Sequence, residues 1–421
     1  MKGASHNVET LLSDCRGLEL TDERGQICGE ILSELGVEII KVEPPGGEPS
    51  RRTGPYFHDE PDPLKSLYWA AHNRDKKSIT LNIETADGQE IFKGLAKRFD
   101  LIIESFPPGQ LGHLGLGYEV LQNVNPKLVM TSITPFGQTG PYSDYKASDL
   151  VIMALAGRLF IEGDPSTPPV NISLPQSYLM AGAQAAAATM TAYYYSQMQG
   201  QGQYVDVSAQ QSAALYLANI IPLYELEGVI IKRAGVFRVG LSGGISQRQI
   251  WRCKDGFVAF IITGGRLGRD SRCALIKWIE DEGMADETLL TVDWLQLDMN
   301  DMTQELEDQI ERAIGKFFLT KTKAELYERA LEQDIWLFPM STPEDLLRDP
   351  QLSARGYWID INHPELGTSI RFPGSFFKSS ITRGAGRRRA PLPGEHNDEI
   401  YRGMLGFNTE DMASLKQAGV I

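Results

Sequence analysis

The stretch Gly17–Val42, GLELTDERGQICGEILSELGVEIIKV, decides the fold. GLEL reads as a short strand, and a helical pattern follows it to about Leu35. Gly36 sits where a helix ends on a left-handed residue. Val37–Val42 (VEIIKV) is then a β-branched run, hence a second strand. Working outward, Ser78–Leu81 (SITL) predicts a third strand, Asp87–Arg98 a helix, Leu101–Glu104 a fourth strand and Leu128–Ile133 (LVMTSI) a fifth after another short helix. Strands that alternate with helices imply an α/β fold with a parallel sheet covered on both faces. Helical patterns follow at Asp149–Gly157, Leu179–Met198 and, as one long helix, Ser208–Glu227. Residues 228–248 read as a loop, WRCKDGFVAFIIT (251–263) as a hairpin around Asp255-Gly256, and 268–332 as helical and acidic. Short strands return near Trp336, and two short helices close the chain after His396. The expected organisation is a large α/β domain over 1–225 and 336–421, interrupted by a smaller α+β domain over 226–335.

Composition narrows the function. The 421 residues carry 41 Lys and Arg against 55 Asp and Glu, a net charge of −14, which argues against a general nucleic-acid binder. The 42% hydrophobic and 23% charged content is ordinary for a soluble globular protein. The most apolar stretch, Leu179–Tyr195, is alanine-rich and short of the roughly 20 apolar residues of a membrane span. No signal-like core opens the sequence, so a cytoplasmic protein without membrane association is expected. Cys15, Cys28, Cys253 and Cys273 show no metal or redox spacing, and buried free thiols are the reading. The histidines show no metal spacing either, and no GxSxG is present. No GxGxxG follows the first strand and there is no GxxxxGK[ST], which disfavours dinucleotide-binding and P-loop enzymes. TGGRLGR (263–269) fits a tight turn, or a phosphate site at a helix start.

Five runs stand out: IIKVEPPGGEPSRR (39–52), AAHNRDKKSITLNI (70–83), DLIIESFPPGQLGHLGLGYEVL (100–121), NPKLVMTSITPFGQTGPYSDYKASD (125–149) and GQGQYVDVSAQQSA (200–213). Each places glycine, proline or basic residues just beyond a predicted strand, where open α/β sheets bind ligands. In order and spacing these runs, together with the ending PLPGEHNDEIYRGMLGFNTEDMASLKQAGVI, resemble the class III CoA-transferases, the family of formyl-CoA and carnitine CoA-transferases and 2-methylacyl-CoA racemases.

The resemblance implies a Rossmann-like large domain built from both chain ends, a smaller domain and an interlocked-ring dimer. It implies coenzyme A or acyl-CoA as substrate beside a carboxylic acid, with no permanently bound cofactor and no metal. Residue by residue it implies that Lys146 meets the CoA phosphates and that Asp149 holds the acidic position three residues on. Phe106 would flank the adenine, beside Ser105, which replaces the usual asparagine. His113 stands where a basic residue is usual, and Pro44 where an arginine often follows KVE. Arg51, Arg52, Arg74, Lys76 and Lys77 are the cations that could compensate. The glycine loop matches Ser242-Gly243-Gly244.

The main departure is the nucleophile. The family's aspartate lies four residues before the glycine that opens the alanine-rich helix; that glycine is Gly182, and the count falls on Tyr178. No Asp or Glu lies between Asp164 and Asp206. Racemisation is disfavoured as well, because the family's histidine position is Ser148. The resemblance therefore implies a subunit of a hetero-oligomer whose paralogous partner supplies the aspartate. The alternatives are a homodimer in which the acceptor carboxylate attacks directly, and a CoA-binding pseudoenzyme.

Overall fold

The computed structural model describes residues 10–239, 244–263, 266, 268–380 and 388–421. The chain divides into two compact units: one of residues 1–158, 172–218 and 350–421, the other of 159–171 and 219–349.

The first unit is built on a six-stranded sheet: β1 Arg16–Leu20, β2 Glu38–Glu43, β3 Lys77–Thr80, β4 Leu101–Glu104, β5 Val129–Thr134 and β6 Tyr204–Ser208. All neighbours are parallel and the order is β3-β2-β1-β4-β5-β6. The order reverses direction between β1 and β4, so the switch point of the sheet lies at the C-terminal ends of those two strands. β4 and β5 are buried along their whole length, as expected where helices cover both faces. The covering helices include α1 Gln26–Glu34, α2 Ala86–Ala96, α3 Tyr118–Val124, α4 Asp149–Leu155 and α5 Gln176–Gln199. Gly36 ends α1 at φ +102°, and the Val37 amide then donates back to the Leu32 carbonyl at 3.0 Å. The core beneath α2 and α3 joins Leu18, Ile40, Phe92, Phe99 and Ile102 to Tyr401 of the returning chain. The Asn82 amide donates to the Val420 carbonyl and the Tyr401 hydroxyl to the Thr80 carbonyl, so the C-terminal segment completes the edge beyond β3.

One carboxylate anchors the sheet from inside. Glu19 of β1 is fully buried between Lys41 of β2 (3.2 Å) and Lys76 (2.8 Å). Lys76 also donates to the Gln26 carbonyl and the Asn73 side chain, each at 3.1 Å.

The second unit has its own core, where Trp251, Phe260, Trp278, Phe317 and Phe318 pack together. Its three-stranded antiparallel sheet is formed by Ile250–Cys253, Gly256–Ala259 and Phe338–Pro339, packed with helices such as Arg269–Asp281 and Gln304–Phe318. Two details differ from the sequence reading. Gly256 pairs with Cys253 inside the ladder, so the hairpin turn is Lys254-Asp255. The single helix expected over Ser208–Glu227 is two, Ala209–Leu215 and Ile220–Glu227. Pro222 explains the break: without an amide hydrogen, it fits the first turn of a new helix and not the middle of a long one. The four cysteines are free thiols.

Candidate active site

The switch point opens into a cleft of about 650 Å3. Its walls come from the loops after β1 (Thr21–Arg24), β2 (Pro44–Pro49), β3 (Leu81–Glu84) and β4 (Ser105, Phe106). Leu20, Val42, Leu81, Ile83 and Phe106 give it an apolar floor. Four carboxylates (Asp22, Glu23, Glu48, Glu84) and one guanidinium (Arg24) line it.

Each wall is held by hydrogen bonds that close within the loops. The Ser105 hydroxyl donates to Asp22 Oδ1 at 2.9 Å and accepts from the Asp22 amide at 2.9 Å, which locks the end of β4 to the end of β1. Asp22 also takes a bidentate ion pair from Arg24. Burial raises its pKa, but the Arg24 hydrogen bonds and charge outweigh that and hold it below the usual carboxylate range. Glu104, the last residue of β4, accepts from the Phe106 amide at 2.7 Å and so turns Phe106 toward the cleft. Burial pushes Glu104 up to about 7, against the Ser132 and Phe106 hydrogen bonds. Glu48 is 5% exposed, bonded to Gln26 and Ser50, and burial raises its pKa too.

Tyr178 stands in the first turn of α5, 8% exposed. Burial, then the Glu23 charge, pushes its phenol up to about 12, so it is a neutral hydroxyl at physiological pH. Two contacts fix its place. The Ser177 amide and hydroxyl donate to Asp149 Oδ1 at 2.8 and 2.7 Å, pinning the start of α5 to α4. One turn on, Gly182 lies against α1, where a Cβ would come within 2.6 Å of Ile27 Cβ and 3.1 Å of the Cys28 amide nitrogen.

Of the residues singled out in the sequence, Ser105 and Phe106 line the cleft, and Asp149 meets Ser177, next to Tyr178, at the start of α5. The remaining ones lie elsewhere. Arg74 is 5% exposed, with its guanidinium on Glu30 and Glu34 (3.2 Å each) and the Pro373 carbonyl (2.8 Å). Lys77 opens β3, at the sheet edge opposite the cleft, and is paired with Glu38 and Glu399. Arg51 is held bidentate by Glu43 and lies 3.7 Å over the Trp69 ring. His113 ends the short helix Gln110–His113 with its side chain exposed, and Lys146 is exposed in the 141–148 loop. Gly243 lies outside the described residues, and Gly244 is exposed in the second unit. The sequence reading missed the loop Thr21–Arg24. Its one signal is position: it follows the first strand, where the sheet order reverses.

Comparison with known proteins identifies the class. The family model of CoA-transferase family III matches residues 12–397, and the chain belongs to that family. It is therefore a CoA-transferase, with CoA or acyl-CoA as a substrate. Among curated relatives, subunit BbsE of succinyl-CoA:(R)-benzylsuccinate CoA-transferase from Thauera aromatica is 34% identical over 96% of this chain and 97% of its own. Succinyl-CoA–D-citramalate CoA-transferase from Chloroflexus aurantiacus is 31% identical over 97% and 98%. A CAIB/BAIF family protein from Brucella suis has a similar crystal structure, with TM-score 0.79 and 26% identity over 94% of this chain and 99% of that one.

Proposed function

We propose that this chain is the aspartate-lacking subunit of a class III CoA-transferase that moves CoA from succinyl-CoA to a carboxylic acid of the benzylsuccinate type. A paralogous subunit carries the aspartate at the position that Tyr178 fills here, and the interlocked dimer is formed with that paralogue. The carrying observation is Tyr178: it is buried, its phenol is raised to about 12, and a neutral phenol is a poor substitute for a carboxylate nucleophile. The relationship to subunit BbsE supports the reading, as does the acyl-CoA donor in the names of both curated relatives. The apolar cleft floor suits the pantetheine arm of CoA. Lys146, an exposed lysine, is the cation we assign to the phosphates, with Phe106 of the cleft wall against the adenine.

Exposed apolar side chains on the first unit support a macromolecular partner. Leu150, Val151 and Leu155 of α4 and Tyr194, Tyr195 and Met198 of α5 are all exposed. Among the described residues, no helix is long and apolar enough to cross a membrane, in keeping with a proposed cytoplasmic location. The test is purification from the native source followed by mass analysis of the intact complex. A stoichiometric paralogue bearing Asp four residues before the glycine equivalent to Gly182 should accompany the chain. Full turnover by the chain alone would sink the proposal.

A further inference from the structure

The second unit carries a groove outside the candidate active site. It has a volume of about 800 Å3 and is lined by the helix Gln304–Phe318 and the strand Ile250–Cys253. Asp308, Glu311, Arg312, Gly315 and, just past the helix end, Leu319 follow one another at three- and four-residue steps, so they share one helix face. Phe237, Trp251 and Leu319 give the groove apolar surface, and Leu319 is 51% exposed. Four cations line it: Arg248, Arg252, Arg312 and Lys316. Its two carboxylates are already engaged. Glu311 accepts from the Arg248 amide at 2.5 Å and pairs with the Arg248 guanidinium at 3.6 Å, while Asp308 accepts from the Gln304 side chain at 2.7 Å. Arg248 also lies over the Phe237 ring, 4.6 Å from its centre, and so forms part of the wall. Arg252, Arg312 and Lys316 are exposed, and among the described residues none of the three has an ion-pair partner. The printed bond of Arg312 runs from Nε to the Asp308 carbonyl at 3.1 Å. Other cations of this unit do meet carboxylates: Lys277 on Asp281, Lys321 on Glu282, Arg329 on Glu332 and Arg348 on Glu344. In a chain with 55 Asp and Glu against 41 Lys and Arg, three cations gathered in one groove without a carboxylate run against the balance. Arg312 and Lys316 even stand four residues apart on one helix, where like charges repel.

We propose that this groove docks an acidic segment of a partner chain, whose carboxylates meet Arg252, Arg312 and Lys316 and whose apolar side chain covers Phe237 and Leu319. Charge complementarity carries the assignment: the unpaired cations need anions, and the chain's own carboxylates do not supply them. The guanidinium groups of Arg252 and Arg312 suit carboxylates, which they can hold through two parallel hydrogen bonds. Arginine and aromatic residues are also the types enriched where proteins dock. From Asp308 to Leu319 the helix face is about 16 Å long at the usual helical rise, which is the reach of about five extended residues. A small multivalent anion would satisfy the cations but leave Leu319 uncovered, so a peptide segment fits the groove better. This docking holds whether or not a paralogue supplies the aspartate missing at position 178.

The experiment is zero-length carbodiimide cross-linking of the assembly in which the protein is isolated, followed by peptide mass spectrometry. A link from the Lys316 amine to an Asp- or Glu-bearing peptide of another chain is expected, and its yield should fall as salt is raised. The pair Arg252→Glu and Arg312→Glu should abolish that link although Lys316 is kept. It should also weaken the partner about tenfold or more, with the melting temperature of the chain alone unchanged. The neutral pair Arg252→Gln and Arg312→Gln should weaken it less. Leu319→Ser should weaken it with the salt dependence unaltered. No interchain link at Lys316, or unchanged partner affinity in the charge-reversed pair, overturns the proposal. Isolation of the chain without any partner overturns it too. Tight binding of inorganic pyrophosphate to the single chain, with no link at Lys316, overturns it in favour of a small-anion site. A link to a chain without Asp at the position of Tyr178 supports the docking while removing the subunit reading.

Discussion

At the scale of single residues, the same side-chain type has different uses according to what surrounds it. Arg74 looks from the sequence like a phosphate ligand, yet its donors face Glu30, Glu34 and two backbone carbonyls inside the first unit. Removing one member of a buried ion pair strands the other, at a cost of about 3–5 kcal/mol. Arg74→Ala should therefore lower the melting temperature while leaving KM for acyl-CoA unchanged; a raised KM with normal stability would put Arg74 at the ligand. Glu104 offers a pH test. Its carboxyl is shifted upward to about 7, so the folded chain holds a proton there that the unfolded chain releases nearer its ordinary value of 4.5. That stabilisation is complete below the ordinary value and is lost as pH rises toward 7. Glu104→Gln keeps an acceptor for the Phe106 amide but does not ionise. Thermal melts across pH 4.5 to 7 should show the wild type losing up to about 3 kcal/mol relative to the variant. Parallel curves would mean that Glu104 does not titrate in that window.

At the scale of elements, two helix starts build the candidate site. α1 begins after the loop that carries Asp22, Glu23 and Arg24, and α5 begins on Asp149 and brings Tyr178. Their separation is set at Gly182, where α5 meets Ile27 and the Cys28 backbone. A methyl group there has no room, and the backbone of a packed helix cannot yield cheaply. Gly182→Ala should cost about 1–3 kcal/mol, seen as a lower denaturation midpoint. Because the strain falls one turn from Tyr178, turnover should fall further than stability alone explains. A variant with wild-type stability and turnover would show that α1 and α5 slide apart freely.

At the scale of the whole molecule, both chain ends build one α/β unit, and residues 219–349 with 159–171 form another. Exposed apolar residues on α4 and α5 are the surface on which the proposed paralogue is expected to lie, and the mass of the native complex decides it. Much of this organisation is legible in the sequence. β-branched runs alternating with helical periods dictate a parallel sheet, because only crossover helices join parallel neighbours. Glycines such as Gly36 mark helix ends. Burial and pairing across long separations are not legible. Nothing local distinguishes Arg74 or Lys77, which face Glu30 and Glu399, from cations that face solvent. Nor does sequence show that α5 packs on α1 at Gly182 and Ile27, since only the folded chain brings the two helices together. The order of elements follows from local backbone preferences, and is determined by the sequence read alone. Which charges are neutralised and which are left unengaged depends on contacts between distant segments, and only the tertiary structure decides it.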